Sequence, residues 1–136
     1  MTKKIVSLAI AVSCVFLLAA SCEVSTANLS DIKMCDNAQS LQCAQDVTEF
    51  TTTTPVIYCT AVLNNAPAGT TVTASWYYLD EELGGFIDST TVESEEMTSD
   101  LQFSLTKPTN DWPTGPYKVE LQINGQGLDI KEFSVK

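Results

Sequence analysis

Nine residues, Thr71 to Leu79, narrow the possible folds more than any other stretch. They read Thr-Val-Thr-Ala-Ser-Trp-Tyr-Tyr-Leu. Successive side chains on a strand point to opposite faces, so Val72, Ala74, Trp76 and Tyr78 share one face while Thr71, Thr73, Ser75 and Tyr77 share the other. That pattern is a half-buried β-strand with an indole in its middle. No other residue covers as much apolar surface from a strand, so Trp76 is expected at the centre of a small β-sandwich core.

The same alternation recurs between turn signals at the spacing of an all-β domain. It predicts strands near 47–50, 56–63, 71–79, 86–93, 101–106, 116–123 and 128–135, about seven antiparallel strands over 47–136. Asn64 to Gly69, Glu82 to Gly85, Asn110 to Gly115 and Asn124 to Gly127 supply the turns. Leu101, Phe103 and Leu105 form one inward row, and Tyr117, Val119, Leu121 and Ile123 form another. No segment sustains a helical period.

This pattern resembles an immunoglobulin-like β-sandwich. Inward Cys59, Trp76 on the next strand and Tyr117 in Gly-Pro-Tyr-Lys-Val carry the resemblance, which implies that Tyr117 is a tyrosine-corner residue. Val119 stands where antibody domains have their second cysteine. The inter-sheet disulfide is therefore unavailable, and Cys59 and Val119 are expected beside Trp76 as plain apolar neighbours. Trp76-Tyr77-Tyr78, Trp112 to Val119 and Phe133-Ser134-Val135 also resemble segments of exported bacterial lipoproteins. That resemblance transfers no defined activity.

Lys3-Lys4, the apolar run from Ile5 to Ala20 and the small residues after it read as a secretory signal over 1–21. Leu18-Ala19-Ala20-Ser21-Cys22 resembles a lipobox, which implies lipidation of Cys22. Ala19 stands where Leu is usual. Ordinary cleavage after Ala20 or Ala27 is the alternative. Glu23, rather than Asp, after the lipidated residue points to the outer membrane or cell surface. Residues 22–46 show no sustained period and read as a tether and loop-rich entry.

With Cys14 in the signal and Cys22 lipidated, Cys35, Cys43 and Cys59 remain. The first expectation pairs Cys35 with Cys43 and leaves Cys59 a buried thiol; a rival pairs one of the two with Cys59.

Net charge is −10, and removing Lys3 and Lys4 with the signal takes it to −12, since all 17 acids follow Cys22. Nucleic acid and anionic headgroups, which need clustered cations, are poor partners. No histidine and no arginine occur, so Ser-His-Asp and Cys-His catalysis, histidine metal sites and bidentate phosphate clamps are excluded. The chain reads as a non-enzymatic, lipid-anchored, extracytoplasmic module that needs no cofactor and has a protein partner. A carbohydrate-binding module stacking sugars on Tyr77 and Trp112 is the alternative, against the favoured reading that Trp112 caps one end of the core and Tyr77 lies on the sheet surface. A protease-inhibitor-like use of Asn65 to Gly69 with Leu83 to Gly85 is a minor one. Asp80, Glu82 and Asp88 are weak calcium candidates, against a solvated acidic surface. An enzyme would need a carboxylate pair such as Glu81 and Glu95.

Overall fold

The computed structural model describes residues 26–82 and 84–136; the signal segment and Cys22 lie outside the described residues. The strands are β1 (Asn28–Cys35), β2 (Ala38–Gln39), β3 (Gln42–Cys43), β4 (Glu49–Phe50), β5 (Val56–Asn64), β6 (Thr71–Tyr78), β7 (Gly85–Glu93), β8 (Ser99–Thr106), β9 (Gly115–Ile123) and β10 (Gln126–Val135). A three-stranded sheet in the order β1-β5-β8 faces a five-stranded sheet in the order β4-β10-β9-β6-β7. All long pairings are antiparallel, and only the short β4 runs parallel to its neighbour β10. The result is an all-β, immunoglobulin-like sandwich.

Alternation builds the core as the sequence predicts. Val72, Ala74 and Trp76 are buried from β6, Tyr117, Val119 and Leu121 from β9, and Leu101, Phe103 and Leu105 from β8. Trp76 pairs across the strands with Val119, and Cys59 on β5 lies fully buried in the same cluster. Phe133 joins the aromatic residues: it stacks on Tyr117 at 5.2 Å and meets Trp76 and Phe50 edge-on at 6.0 and 5.8 Å.

The loop-rich entry is corrected over Asn28–Cys35, which forms β1 and pairs with β5 along its length. A bulge between Ser30 and Lys33, with Asp31 at φ 54°, inserts one residue. The inward phase therefore slips, from Leu29 before the bulge to Ile32 and Met34 after it. Both partly buried Leu29 and Ile32 pack on the core, and Met34 is fully buried in it. Strand periodicity is hidden by that slip.

Beyond β1, the hairpin of β2 and β3 turns on Ser40 and Leu41, both at positive φ (52° and 64°). This geometry usually draws Asn-Gly, so Ser-Leu gave no signal. The hairpin is stapled by the Cys35–Cys43 disulfide, with Cα atoms 5.7 Å apart, and the Cys43 amide donates to Thr60 Oγ1. The rival pairing is excluded: Cys59 is a free, buried thiol. A structural disulfide of this kind belongs to an oxidising, extracytoplasmic compartment. Replacing Cys35 and Cys43 together by serine should cost about 2–3 kcal/mol through the unfolded chain. Comparing urea midpoints with the oxidised protein checks this, and coincident midpoints would count against it.

Asp46 ties the two sheets together. Its carboxylate accepts from the Met34 amide on β1 and from the Lys131 ammonium on β10. Burial raises its pKa, but Lys131 and the Met34 amide outweigh that and leave it lowered.

Candidate functional site: an aromatic cleft under an overhanging strand

The sheets are unequal. Among the described residues strand β7 pairs only with β6, and its inward positions Asp88 and Thr90, opposite Trp76 and Ala74, are exposed. The three-stranded sheet does not reach beneath it, so β7 overhangs the core. Polar inward positions of this kind protect an open edge from pairing indiscriminately.

The antiparallel register defines two ends. Asn28, Asn64, Thr71, Glu93, Ser99 and Ile123 lie at the end where the chain enters, and Cys35, Val56, Tyr78, Gly85, Thr106 and Gly115 lie at the far end. At the far end the segment Lys107 to Thr114 folds beneath the overhang. Its Lys107 amide donates to Pro55 O, and its Trp112 amide to Thr52 O.

Between the overhang and this segment lies a cleft of about 210 Å³. Tyr78 and Tyr117 form its floor, Gly84, Gly85, Phe86 and Ile87 one wall, and Pro108, Trp112 and Pro113 the other. Phe86 is 61% exposed and Ile87 39%.

Hydrogen bonds fix the rings of the floor. Tyr117 donates to Pro113 O at 2.6 Å, the tyrosine corner expected from the sequence. Tyr78 donates to Thr114 O at 2.7 Å, and the two rings lie 4.6 Å apart. Glycine is required at 115, whose φ of 132° lets the chain turn under the Tyr78 ring.

Trp112 caps the far end of the core rather than standing out as a stacking platform. It is buried, its indole Nε1 donates to Thr54 O at 2.7 Å, and its ring meets Tyr117 edge-on. The socket that holds it is the threonine run 51–54, which by composition alone looked featureless. Thr54 Oγ1 accepts from the Thr51 amide, closing a tight turn that aims its carbonyl at the indole. Tyr77 is half-buried: Lys118 Nζ sits 5.0 Å over its ring, and Phe86 abuts it edge-on. Neither ring is a bare platform for a sugar.

The remaining candidate sites also separate in space. Asp80 Oδ1 accepts from the Glu82 amide in a turn, and Asp88 Oδ1 from the Ser89 amide on β7. Among the described residues no three metal-binding side chains converge, so the calcium candidates do not form a site. Glu81 and Glu95 flank opposite ends of the nine-residue β7. At ~3.3 Å per residue they lie roughly 30 Å apart, whereas acid and base carboxylates of glycosidases stand within ~10 Å. The same separation parts loop 65–69 from Gly84-Gly85, so they cannot enter one protease cleft together.

Two buried hydroxyl or thiol protons carry a pH prediction. Burial pushes Cys59 up from 9.0 to about 12. Burial first, and then Tyr78, pushes Tyr117 from 10.0 to about 12. The folded state holds both protons more tightly than the unfolded chain. Their contribution is therefore complete below pH 9 and 10 respectively, and is lost as pH rises toward about 12. Urea midpoints should fall between about pH 8 and about pH 11, and fall less in Cys59→Ala and Tyr117→Phe. Parallel curves for the three proteins would remove this account.

No protein-family model and no curated protein matches the sequence. Among solved structures, it is similar to the Pseudomonas fluorescens alkylpurine DNA glycosylase AlkC bound to DNA containing an abasic site analog (TM-score 0.50, 12% identity, 82% of this chain and 31% of that one). It is also similar to a beta-glucosidase from Listeria innocua (TM-score 0.50, 10% identity, 80% of this chain and 15% of that one). The sensor domain of the anti-sigma factor RsgI4 from Pseudobacteroides cellulosolvens matches at a TM-score of 0.45 and 10% identity, over 76% of this chain and 88% of that one. The chain spans less than a third of the glycosylase and less than a sixth of the glucosidase. At these identities the likeness is one of fold alone.

Proposed function

We propose that this chain is a non-enzymatic, lipid-anchored binding module of the bacterial cell envelope, held at the outer membrane or cell surface through Cys22 and engaging a protein partner with its far end. The observation that carries this reading is the aromatic cleft, an apolar recess with exposed Phe86 and Ile87 at its lip. Exposed apolar surface around a recess is the usual mark of an interaction site. The cleft is lined by rings, prolines, glycines and Ile87. Both tyrosine hydroxyls are engaged with main-chain carbonyls, and Tyr117 is pushed to about 12. A lining of this chemistry trades no protons near neutrality, which favours binding over catalysis.

The geometry also supports the anchor. The first described residues, Thr26 and Ala27, follow the lipobox cysteine by only four and five positions. Ala27 packs against the core, so cleavage after it would cut at the domain's edge. A tether this short spans roughly 15 Å at full extension and sets the entry end toward the membrane. That end carries Glu93, Glu95, Glu96, Asp100 and Asp129 around loops without lysine, a charge that anionic headgroups repel, so the domain stands off the surface at the length of its tether instead of lying on it. The cleft then faces away from the membrane.

Mass spectrometry of the mature protein tests the anchor. A diacylated or triacylated Cys22 is expected, with the Cys22→Ser chain released from membranes. An unmodified N-terminus at Ser21 or Asn28 would overturn it.

A further inference from the structure

We infer that the cleft and the open edge of β7 together receive one occupant, an extended, cationic segment of a partner protein that places an apolar side chain in the cleft. The inference rests on the binding-module reading and names the partner's chemistry.

Size comes first. The recess holds about 210 Å³, below the ~300–1,000 Å³ of small-molecule sites, and so fits one or two side chains rather than a whole ligand. Hydrogen bonding comes next. A sugar presents hydroxyls on every edge, but the Tyr78 and Tyr117 hydroxyl protons are already donated to Thr114 O and Pro113 O. The two hydroxyl oxygens can still accept, but the rest of the recess is ring faces, proline rings and the Ile87 side chain. Most hydroxyls of a buried sugar would go unpaired there, whereas an aliphatic or aromatic side chain matches.

The open edge makes the occupant extended. Gly85, Phe86 and Ile87 both line the cleft and begin β7, whose outer side has no strand partner among the described residues. A segment added along that edge gains main-chain hydrogen bonds and delivers alternate side chains inward, beneath the overhang.

Charge selects its sign. Asp80, Glu81 and Glu82 precede the glycine wall, and exposed Asp88 lies beneath the overhang where an added strand would run. The nearby Lys107 is already paired with Asp111 at 3.7 Å. A second copy of this chain, at net charge −10, would bring a second Asp88 to the same edge. A strand with Lys or Arg two positions to either side of its apolar side chain, on the same inward face, neutralises both sets of carboxylates.

The test uses the full chain carrying Cys22→Ser, purified from the extracytoplasmic fraction. The probe is the synthetic peptide acetyl-Thr-Lys-Thr-Phe-Thr-Lys-Thr-amide, which carries its lysines on the same face as the phenylalanine, with a twin in which Glu replaces every Lys. Backbone NMR shifts and indole fluorescence are followed to about 1 mM peptide. Saturable shifts at Gly84 to Ser89 and at the Trp112 indole are expected with the lysine peptide only, weakened about tenfold by Phe86→Ala with Ile87→Ala. Those two positions are exposed, so the fold survives. Asp88→Asn tests the edge separately and should weaken binding while leaving the apoprotein's melt unchanged.

Equal binding of both peptides, shifts confined to other surfaces, or no saturation would overturn the inference. None of these outcomes bears on acylation of Cys22, which the mass measurement decides on its own. Self-association in sedimentation, abolished by the same double substitution, would instead assign the edge to a second copy and overturn the cationic partner.

Discussion

Trp76→Ala is expected to destabilise the domain by about 3–5 kcal/mol. A domain of this size has only ~5–15 kcal/mol in total, so the melting temperature should drop by more than about 10 °C. The reason is position as well as area. The indole is 1% exposed, sits opposite Val119, and packs edge-on against Phe133, which in turn holds Tyr117 and Phe50. Removing it opens a cavity where both sheets meet, and neighbours fixed by strand pairing cannot collapse into it. Trp76→Phe provides the sharper comparison. The indole Nε1 is buried without an acceptor among the described residues, so phenylalanine keeps most of the ring contact while deleting that donor. It should cost less than half as much as alanine. A shift of under about 2 °C in the alanine variant would show that the core is centred elsewhere.

Trp112→Ala should cost about 3–5 kcal/mol as well, by a different route. Its ring closes the far end of the core against Tyr117, and its Nε1 proton satisfies Thr54 O. Alanine leaves a void and a buried carbonyl without its donor. The main-chain bond from Trp112 to Thr52 would then hold a segment with nothing beneath it, and the cleft wall at Pro108 and Pro113 would loosen with it. Urea denaturation should show the loss directly. A Trp112→Ala variant as stable as the parent would remove the socket assignment. The consequence for binding studies is practical: loss of affinity in this variant reports a damaged fold, and Phe86 and Ile87 are the positions that report contact.

The fold was legible wherever period-two alternation ran unbroken. Strands expected at 56–63, 71–79, 86–93, 101–106, 116–123 and 128–135 form at Val56–Asn64, Thr71–Tyr78, Gly85–Glu93, Ser99–Thr106, Gly115–Ile123 and Gln126–Val135. Of the expected 47–50, only Glu49–Phe50 pairs. Strand β1 was hidden because its bulge moves the inward positions from odd to even numbers, so that neither parity looks apolar throughout. The β2–β3 hairpin was hidden because Ser40 and Leu41 hold a turn that glycine and asparagine normally mark. The role of Tyr117 came from the immunoglobulin-like resemblance, and the Cys35–Cys43 bridge was the first expectation for its short loop while a pairing with Cys59 stayed open. The cleft was not, because it arises from a five-stranded sheet facing a three-stranded one, and sheet membership is decided by contacts far apart in sequence. Trp112 shows the same limit. A tryptophan in a turn can cap the core or stand out as a platform, and the socket that holds it as a cap is the Thr51 to Thr54 turn, with Thr54 lying 58 residues away.

The opposition of chain entry and cleft also has a mechanical meaning. Tension applied between Thr26 and Gly85 would act along the strands, and β1 lies against β5 from Asn28↔Asn64 to Cys35↔Tyr58. Pulling on β1 strains those inter-strand bonds together in shear rather than one at a time, as peeling would. At the far end the strand is fastened by the bridge to Cys43 and by the Asp46 clamp. The fold is thereby arranged to bear load along its strand axis.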